Sequence, residues 1–312
     1  MKDVIPNYFI VGAHKCATTF MAEHLRKHPE VFMTEPKEPQ HFARDISPES
    51  SRWIDPEAYW DLFRSVKGEK AIGEASTWYL YSEVAAAGIH RVNPEARIII
   101  MLRNPVDFLY SMHSELLFGR QEPVEDFERA IELDYRARRA LGTRPASIFA
   151  CGFEYRKAAR FSYQVERYLT RFGSERVHFV LLDDVRASPE NAYAGVLRFL
   201  GVDDSFKPEF EVTNANKTVR FPALIDIVQS RSTLKSIVAR SLPPSVRRQL
   251  LDLLVFKVAT KPARRPPMRP ELRARLTADY ADEVRALSAM IGRDLSAWLP
   301  DASASRGVPH GG

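Results

Sequence analysis

Phe9-Ile10-Val11-Gly12-Ala13-His14-Lys15-Cys16-Ala17-Thr18-Thr19 runs from an apolar stretch through a glycine and small residues into a lysine and two hydroxyls. Tyr8-Phe9-Ile10-Val11 predicts a short buried strand, and Gly12 breaks it. Beyond the break, Phe20, Met21 and Leu25 recur at helical spacing, which predicts a helix from Thr18 to His28, stopped by Pro29. A strand, a turn of small residues and a helix N-terminus make an anion site. Small side chains let backbone N–H groups approach, the helix end adds partial positive charge, and Lys15 adds a full one. Thr18 and Thr19 stand where their hydroxyls can donate to the same anion. The plainer reading makes Lys15 a surface lysine and the threonines a helix cap.

Outward from this segment, the apolar run Arg97-Ile98-Ile99-Ile100-Met101-Leu102 predicts a strand covered on both faces. Further strands are predicted at Val31–Met33, Lys70–Glu74 and Val177–Leu182. Helices are predicted at Pro56–Phe63, Tyr79–His90 and Val106–Phe118, after Ser188-Pro189-Glu190, and as one amphipathic helix over Glu271–Ile291. Strands alternating with helices predict an α/β fold: a P-loop-like, doubly wound parallel sheet flanked by helices, with a largely helical C-terminal part. The expected organisation is a single domain over 1–300, its helical extension at about 221–300, and a disordered tail at 301–312.

Composition limits the function classes. The chain has 312 residues, 45% of them hydrophobic and 27% charged, which is globular rather than disordered. No apolar run is long enough to span a membrane, and the first strand begins too early to leave room for a cleaved leader, so a cytoplasmic protein is expected. Cys16 and Cys151 are expected to be free thiols, and no Cys/His cluster has zinc spacing, so no metal is expected. The net charge of +5 is uneven, with 13 basic against 3 acidic residues from Arg220 to Arg275. That stretch is compatible with nucleic acid, an anionic membrane, an anionic substrate or a plain solvated surface.

The Gly-x-x-x-x-Gly-Lys-[Ser/Thr] spacing of an ATP-binding loop is absent, because Lys15 follows Gly12 by only three residues. The turn instead resembles the 5′-phosphosulfate motif of the sulfotransferase superfamily, with Ala17 where that motif usually has glycine. The strand ending in Arg103-Asn104-Pro105, with Ser111 eight residues after Arg103, resembles the superfamily's 3′-phosphate motif. The resemblance implies 3′-phosphoadenosine 5′-phosphosulfate (PAPS) as sulfuryl donor, adenosine 3′,5′-bisphosphate as product, and no metal. Residues implied to hold the donor are Gly12, Lys15, Cys16, Ala17, Thr18, Thr19, Arg103 and Ser111. Lys217 and Arg220 join them from a loop placed where the family closes over the nucleotide.

Glu35-Pro36-Lys37-Glu38-Pro39-Gln40-His41-Phe42 resembles the Lys-Glu-Pro-His-Phe-Phe pattern of the glycosaminoglycan-type branch, whose glutamate is the proposed general base. Glu38 takes that place, His41 is a rival, and His113 and Glu74 are further alternatives. Lys15 is the group implied to stabilise the leaving phosphate. Gly73-Glu74-Ala75-Ser76-Thr77-Trp78-Tyr79 resembles the segment bordering the acceptor cleft, with Thr77 in place of the usual proline; it nominates Glu74, Ser76 and Trp78 as acceptor contacts. The expected partner is a small-molecule, carbohydrate or lipid acceptor of the sulfuryl group, not nucleic acid. The competing readings are a P-loop-like ATP-dependent small-molecule kinase and a non-catalytic nucleotide- or anion-binding module.

Overall fold

The computed structural model describes residues 4–46, 56–141, 153–210, 217–219, 260–262 and 265–300. It divides into two compact units, one holding residues 1–117, 121–212 and 268–312, the other 118–120 and 213–267.

The first unit is built on five parallel strands, β1 (Tyr8–Gly12), β2 (Val31–Met33), β3 (Ala71–Ala75), β4 (Arg97–Leu102) and β5 (Val177–Leu181), in the order β2-β3-β1-β4-β5. The apolar runs of β1 and β4 occupy the centre. Every residue of β1, and every residue of β4 after Arg97, is buried. Successive side chains of a strand point to opposite faces, so both faces of the sheet are covered. Helix α1 (Thr18–Arg26) packs on β1, β2 and β3. After α2 (Pro56–Asp61), α3 (Ala85–Val92) and α4 (Pro105–Phe118) come α5 (Phe127–Glu132), α6 (Tyr135–Ala140), α7 (Tyr155–Ala158) and α8 (Phe161–Phe172). Helix α8 covers β4 and β5. Helices α9 (Leu182–Ala187) and α10 (Pro189–Leu200) follow β5, the latter capped by Ser188 Oγ, which accepts from the Asn191 N–H.

The chain goes from β1 to the far edge, returns through β3, and then passes over β1 to β4. The strand order therefore reverses at β1, the position where open parallel sheets bind ligands at their carboxyl ends. The parallel doubly wound sheet expected from the sequence is present.

Two helices differ from expectation. Tyr79–His90 was expected to be helical throughout, but α3 starts at Ala85. The preceding residues are drawn elsewhere: the Leu80 N–H donates to Val11 O at the end of β1, and Ser82 Oγ accepts from the N–H groups of Val84 and Ala85. The single helix expected over Glu271–Ile291 is two, α11 (Pro270–Asp279) and α12 (Ala281–Ile291), meeting at Tyr280. Their tethers differ. Arg273 pairs with Asp107 of α4 and Arg275 with Glu128 of α5, whereas Glu283 of α12 accepts from the Ser162 N–H and hydroxyl at the start of α8. A carboxylate at a helix N-terminus is favoured there by the helix dipole.

The second unit contains an antiparallel pair, β6 (Lys217–Val219) with β7 (Thr260–Pro262). Most of the basic stretch, together with Cys151, Arg220 and the tail at 301–312, lies outside the described residues.

Gly73 of β3 lies opposite Tyr8 of β1. A Cβ there would sit 2.6 Å from Tyr8 Cδ1 and also press on the Tyr8 carbonyl oxygen. Gly73→Ala is expected to cost about 3 kcal/mol or more by forcing the central strands apart, seen as a lower denaturant midpoint; an unchanged midpoint would show that the β1–β3 pairing yields easily.

Candidate active site

The turn after β1 is shaped by its own backbone. Gly12 has φ 145°, and a Cβ there would meet Leu80 Cβ at 2.7 Å and Thr77 O at 2.8 Å, so only glycine allows this approach. Lys15 and Ala17 both adopt left-handed conformations, φ 61° and 62°. Ala17 therefore holds the geometry its resemblance assigns to glycine and accepts the strain of its Cβ. No side chain caps α1 and no acidic residue occupies its first turn, so the backbone donors beginning at Thr18 and Thr19 are left uncapped. Thr18 is buried and Thr19 partly so. Cys16 is fully buried, its thiol directed at His14 O, and burial pushes its pKa up to about 12. Its part in the turn is packing and backbone, not thiolate chemistry.

Arg103 and Ser111 come to the same place from the end of β4 and from α4. Arg103 Nη1 donates to Lys15 O at 3.1 Å, which ties the two strand ends together. Arg103 Nε is buried with no partner among the described residues, a donor left over for an anion's oxygen. Lys15 Nζ pairs with Glu115 at 2.9 Å. Ser111 is one turn before Glu115 on the same face of α4, the face that meets the turn.

The loop of Glu38 crosses in front of β3. Glu38 itself is left-handed (φ 65°), its N–H donating to Ala75 O, and its carboxylate receives Lys37 Nζ at 2.7 Å and Gln40 Nε2 at 3.3 Å. Burial alone would raise its pKa. Lys37, His14 and a hydrogen bond from Thr77 outweigh burial and hold the carboxyl below its ordinary value. Glu38 is thus ionised at neutral pH. His41 is a poorer proton acceptor: its ring stacks on Tyr59 at 4.0 Å, and burial, then Arg44, lower its pKa to about 4. His113 is fully buried in α4 with its Nε2 against Val124 O.

Glu74 and Ser76, expected to contact the acceptor, have no exposed surface. Glu74 receives the hydroxyls of Ser76 at 2.6 Å, Tyr79 at 2.7 Å and Tyr59 at 3.0 Å. Ser76 Oγ in turn accepts from the Gln40 N–H, and Tyr79 Oη from the Phe42 N–H. The buried carboxyl therefore anchors the loop that carries Glu38. Trp78 is partly exposed, but one ring face is stacked against His14 at 5.1 Å.

Lys15, Thr18, Thr19 and Arg103 lie at the carboxyl ends of the central strands, Ser111 one turn before Glu115, the partner of Lys15, and the Glu38 carboxylate within electrostatic reach of His14 in the same turn. Lys217 lies in the second unit and Arg220 outside the described residues. Three contributors escaped the sequence reading: His14, Thr77 and Glu115. His14 directly precedes the lysine, Thr77 is a hydroxyl in place of proline, and Glu115 shares the face of Ser111. Among the described residues no group of three or more His, Cys, Asp or Glu is placed to hold a metal, and no helix is long and apolar enough to cross a membrane.

An open parallel sheet with flanking helices and a glycine-opened turn at its switch point defines a P-loop-like α/β fold. Residues 6–236 match the sulfotransferase domain family, and the chain belongs to it. The chain is 27% identical over 229 residues to the human bifunctional heparan sulfate N-deacetylase/N-sulfotransferase 2, covering 70% of this chain and 24% of that protein. It is 30% identical over 148 residues to mouse carbohydrate sulfotransferase 15, covering 34% of this chain and 26% of the relative. The crystal structure of a sulfotransferase from Alicyclobacillus acidocaldarius superimposes with a TM-score of 0.70 at 29% identity, covering 95% of this chain and 99% of that one. The chain spans about a quarter of the length of the curated relatives it matches. Nothing in these likenesses favours the ATP-dependent kinase.

Burial raises the Glu74 pKa to about 7 from an ordinary 4.5, the three hydroxyls offsetting part of the rise. A raised carboxyl favours folding while it is protonated, so its contribution is complete below the unfolded value and fades as pH climbs through about 7. The loss is on the order of 3 kcal/mol. Glu74→Gln should flatten the fall in unfolding free energy between about pH 4.5 and 7; an unchanged slope in denaturant titrations would remove Glu74 as its source.

Proposed function

We propose that this protein transfers a sulfuryl group from PAPS to a hydroxyl or amine of an acceptor, with a carbohydrate as the first class to test. The observation that carries this reading is the left-handed turn at Lys15 and Ala17, which opens into an uncapped helix while Arg103 grips its backbone. The residues present suit a nucleotide with anionic groups at both ends. Lys15 and the first turn of α1 would hold the 5′ end; Arg103, with its unpartnered Nε, and Ser111 would hold the 3′-phosphate. The names of the relatives, carbohydrate sulfotransferase and heparan sulfate N-sulfotransferase, support a carbohydrate acceptor.

PAPS, when bound, supplies a sulfuryl group on a phosphate leaving group. Lys15, whose ammonium pairs with Glu115 in the absence of donor, would turn that charge to the leaving oxygen, where negative charge builds. Glu38 takes the proton of the attacking hydroxyl or amine at a carboxylate oxygen. Its lowered pKa keeps it in the accepting state, and Lys37 and Gln40 hold its carboxylate in place. Lys15 stands on a turn at the end of β1 and Glu38 on a loop pinned by its N–H to Ala75 O at the end of β3, which limits their relative movement.

Lys15→Ala should lower turnover of labelled PAPS by roughly 100-fold or more; near-normal turnover would sink the reading. Glu38→Gln should reduce kcat by about 100-fold or more while leaving the affinity for adenosine 3′,5′-bisphosphate intact in calorimetric titration. Weakened binding with unchanged kcat would instead make Glu38 a donor ligand.

A further inference from the structure

Glu115 sits in α4 at a place that helix stability does not explain. It opens the last turn of a helix that ends at Phe118, a turn with no basic residue. Unpaired carbonyls gather partial negative charge at that end, which disfavours a carboxylate there. Its partner comes from far away in the sequence: Lys15 Nζ reaches Glu115 Oε2 at 2.9 Å across 100 positions. Lys15 is thus held twice from one stretch of chain, its carbonyl oxygen by Arg103 Nη1 at 3.1 Å and its ammonium by Glu115. The element proposed to grip the 3′-phosphate, through Arg103 and Ser111, therefore also holds the lysine proposed to grip the 5′ end.

We propose that Glu115 is a positioning residue that competes with the nucleotide's 5′-phosphate for the Lys15 ammonium, and so speeds release of adenosine 3′,5′-bisphosphate after transfer. The inference rests on the Lys15 turn being the donor site. When the S–O bond of PAPS breaks, the sulfuryl group joins the acceptor and the bond's electron pair stays on the phosphate oxygen. The phosphate then carries its fullest charge and has its strongest hold on Lys15. A carboxylate already within ion-pair reach gives the ammonium a second partner at that moment. Glu115 acts through Lys15, not on the reacting atoms.

The strength of the pair suits an exchange of partners. The Lys15 and Glu115 side chains are 29% and 43% exposed, so water shares in solvating both charges. An ion pair this open is worth a factor of about 5 in an equilibrium, or ~1 kcal/mol. That is enough to loosen a bound phosphate and too little to keep Lys15 from a donor gripped at both ends. A fully buried pair would hold the ammonium too firmly, since separating it would strand a charge away from water.

The test uses the full chain and adenosine 3′,5′-bisphosphate as the probe. Glu115→Gln keeps the size and helix propensity of the side chain and removes its charge, so the denaturant midpoint should not move. In calorimetric titration this variant should bind the bisphosphate about 5-fold more tightly than the unaltered protein. In a chase of labelled bisphosphate with excess unlabelled nucleotide, the label should leave about 5-fold more slowly. Glu115→Asp keeps the carboxylate and should bring affinity back toward the unaltered value. In a Lys15→Ala background binding is weaker, and adding Glu115→Gln should regain little, because the contested ammonium is gone.

Unchanged or weaker binding of the bisphosphate in Glu115→Gln would overturn the proposal. So would an equal gain in the Lys15→Ala background, which plain charge repulsion would give. A Glu115 with only a structural task would lower the midpoint and weaken binding, the opposite sign. If the unaltered protein and Glu115→Gln both fail to bind the bisphosphate, the donor reading falls and the proposal with it. If both bind it equally well, the donor reading stands and only the competition for Lys15 is lost.

Discussion

Three backbone hydrogen bonds at the end of β1 hold the site together. Ser76 N–H donates to Ile10 O, Leu80 N–H to Val11 O, and Ala13 N–H to Met101 O. They bind the carboxyl end of the central strand to the segments leaving β3 and β4, the two strands it lies between. The turn that carries Lys15, the Arg103 corner and the Thr77–Trp78 segment are thereby set at one level. Gly12 makes this possible, since any side chain there would collide with Leu80 and Thr77. The pairing of β1 with β4 also shifts between Ile10 and Gly12, which releases the chain from regular strand geometry into the turn.

Around that fixed corner the candidate site residues differ in how they are attached. Lys15 is on a turn held by Arg103, whereas Glu38 is on an irregular loop with no strand of its own. The loop is secured from below by a buried carboxyl with three hydroxyl partners, two of which also accept backbone N–H groups of the loop. A buried polar network of this kind is costly unless every member is satisfied, and here the satisfied network sets a loop's position. The acceptor-side role expected for Glu74 and Ser76 thus gives way to support from inside the fold.

Much of this was legible in the chain itself. The apolar run Ile98–Leu102 and the break at Gly12 were enough to place the two central strands, because continuous burial leaves a continuous apolar sequence. Lys15, Arg103 and Ser111 were legible through their spacing from strand ends. Less local features were not. The Lys15–Glu115 pair spans 100 positions, and the His14–Thr77 contact spans 63; neither produces a pattern in any short window. The late start of α3 shows the same limit, since helical periodicity in Tyr79–His90 yields to a hydrogen bond with a strand far upstream. Tyr280 divides α11 from α12 because each half answers to a different neighbour, and amphipathic spacing records burial but not which neighbour provides it.

The buried thiol of Cys16 has one more consequence. It lies within the turn that carries Lys15, fully covered, with its thiolate strongly disfavoured. Alkylating reagents act on exposed thiolates, so the turn must open before Cys16 can react. Its rate of modification is therefore a clock for the opening of this corner. A ligand that closes over the turn would slow that clock, making a single native sulfur atom a reporter of occupancy that needs no knowledge of the acceptor.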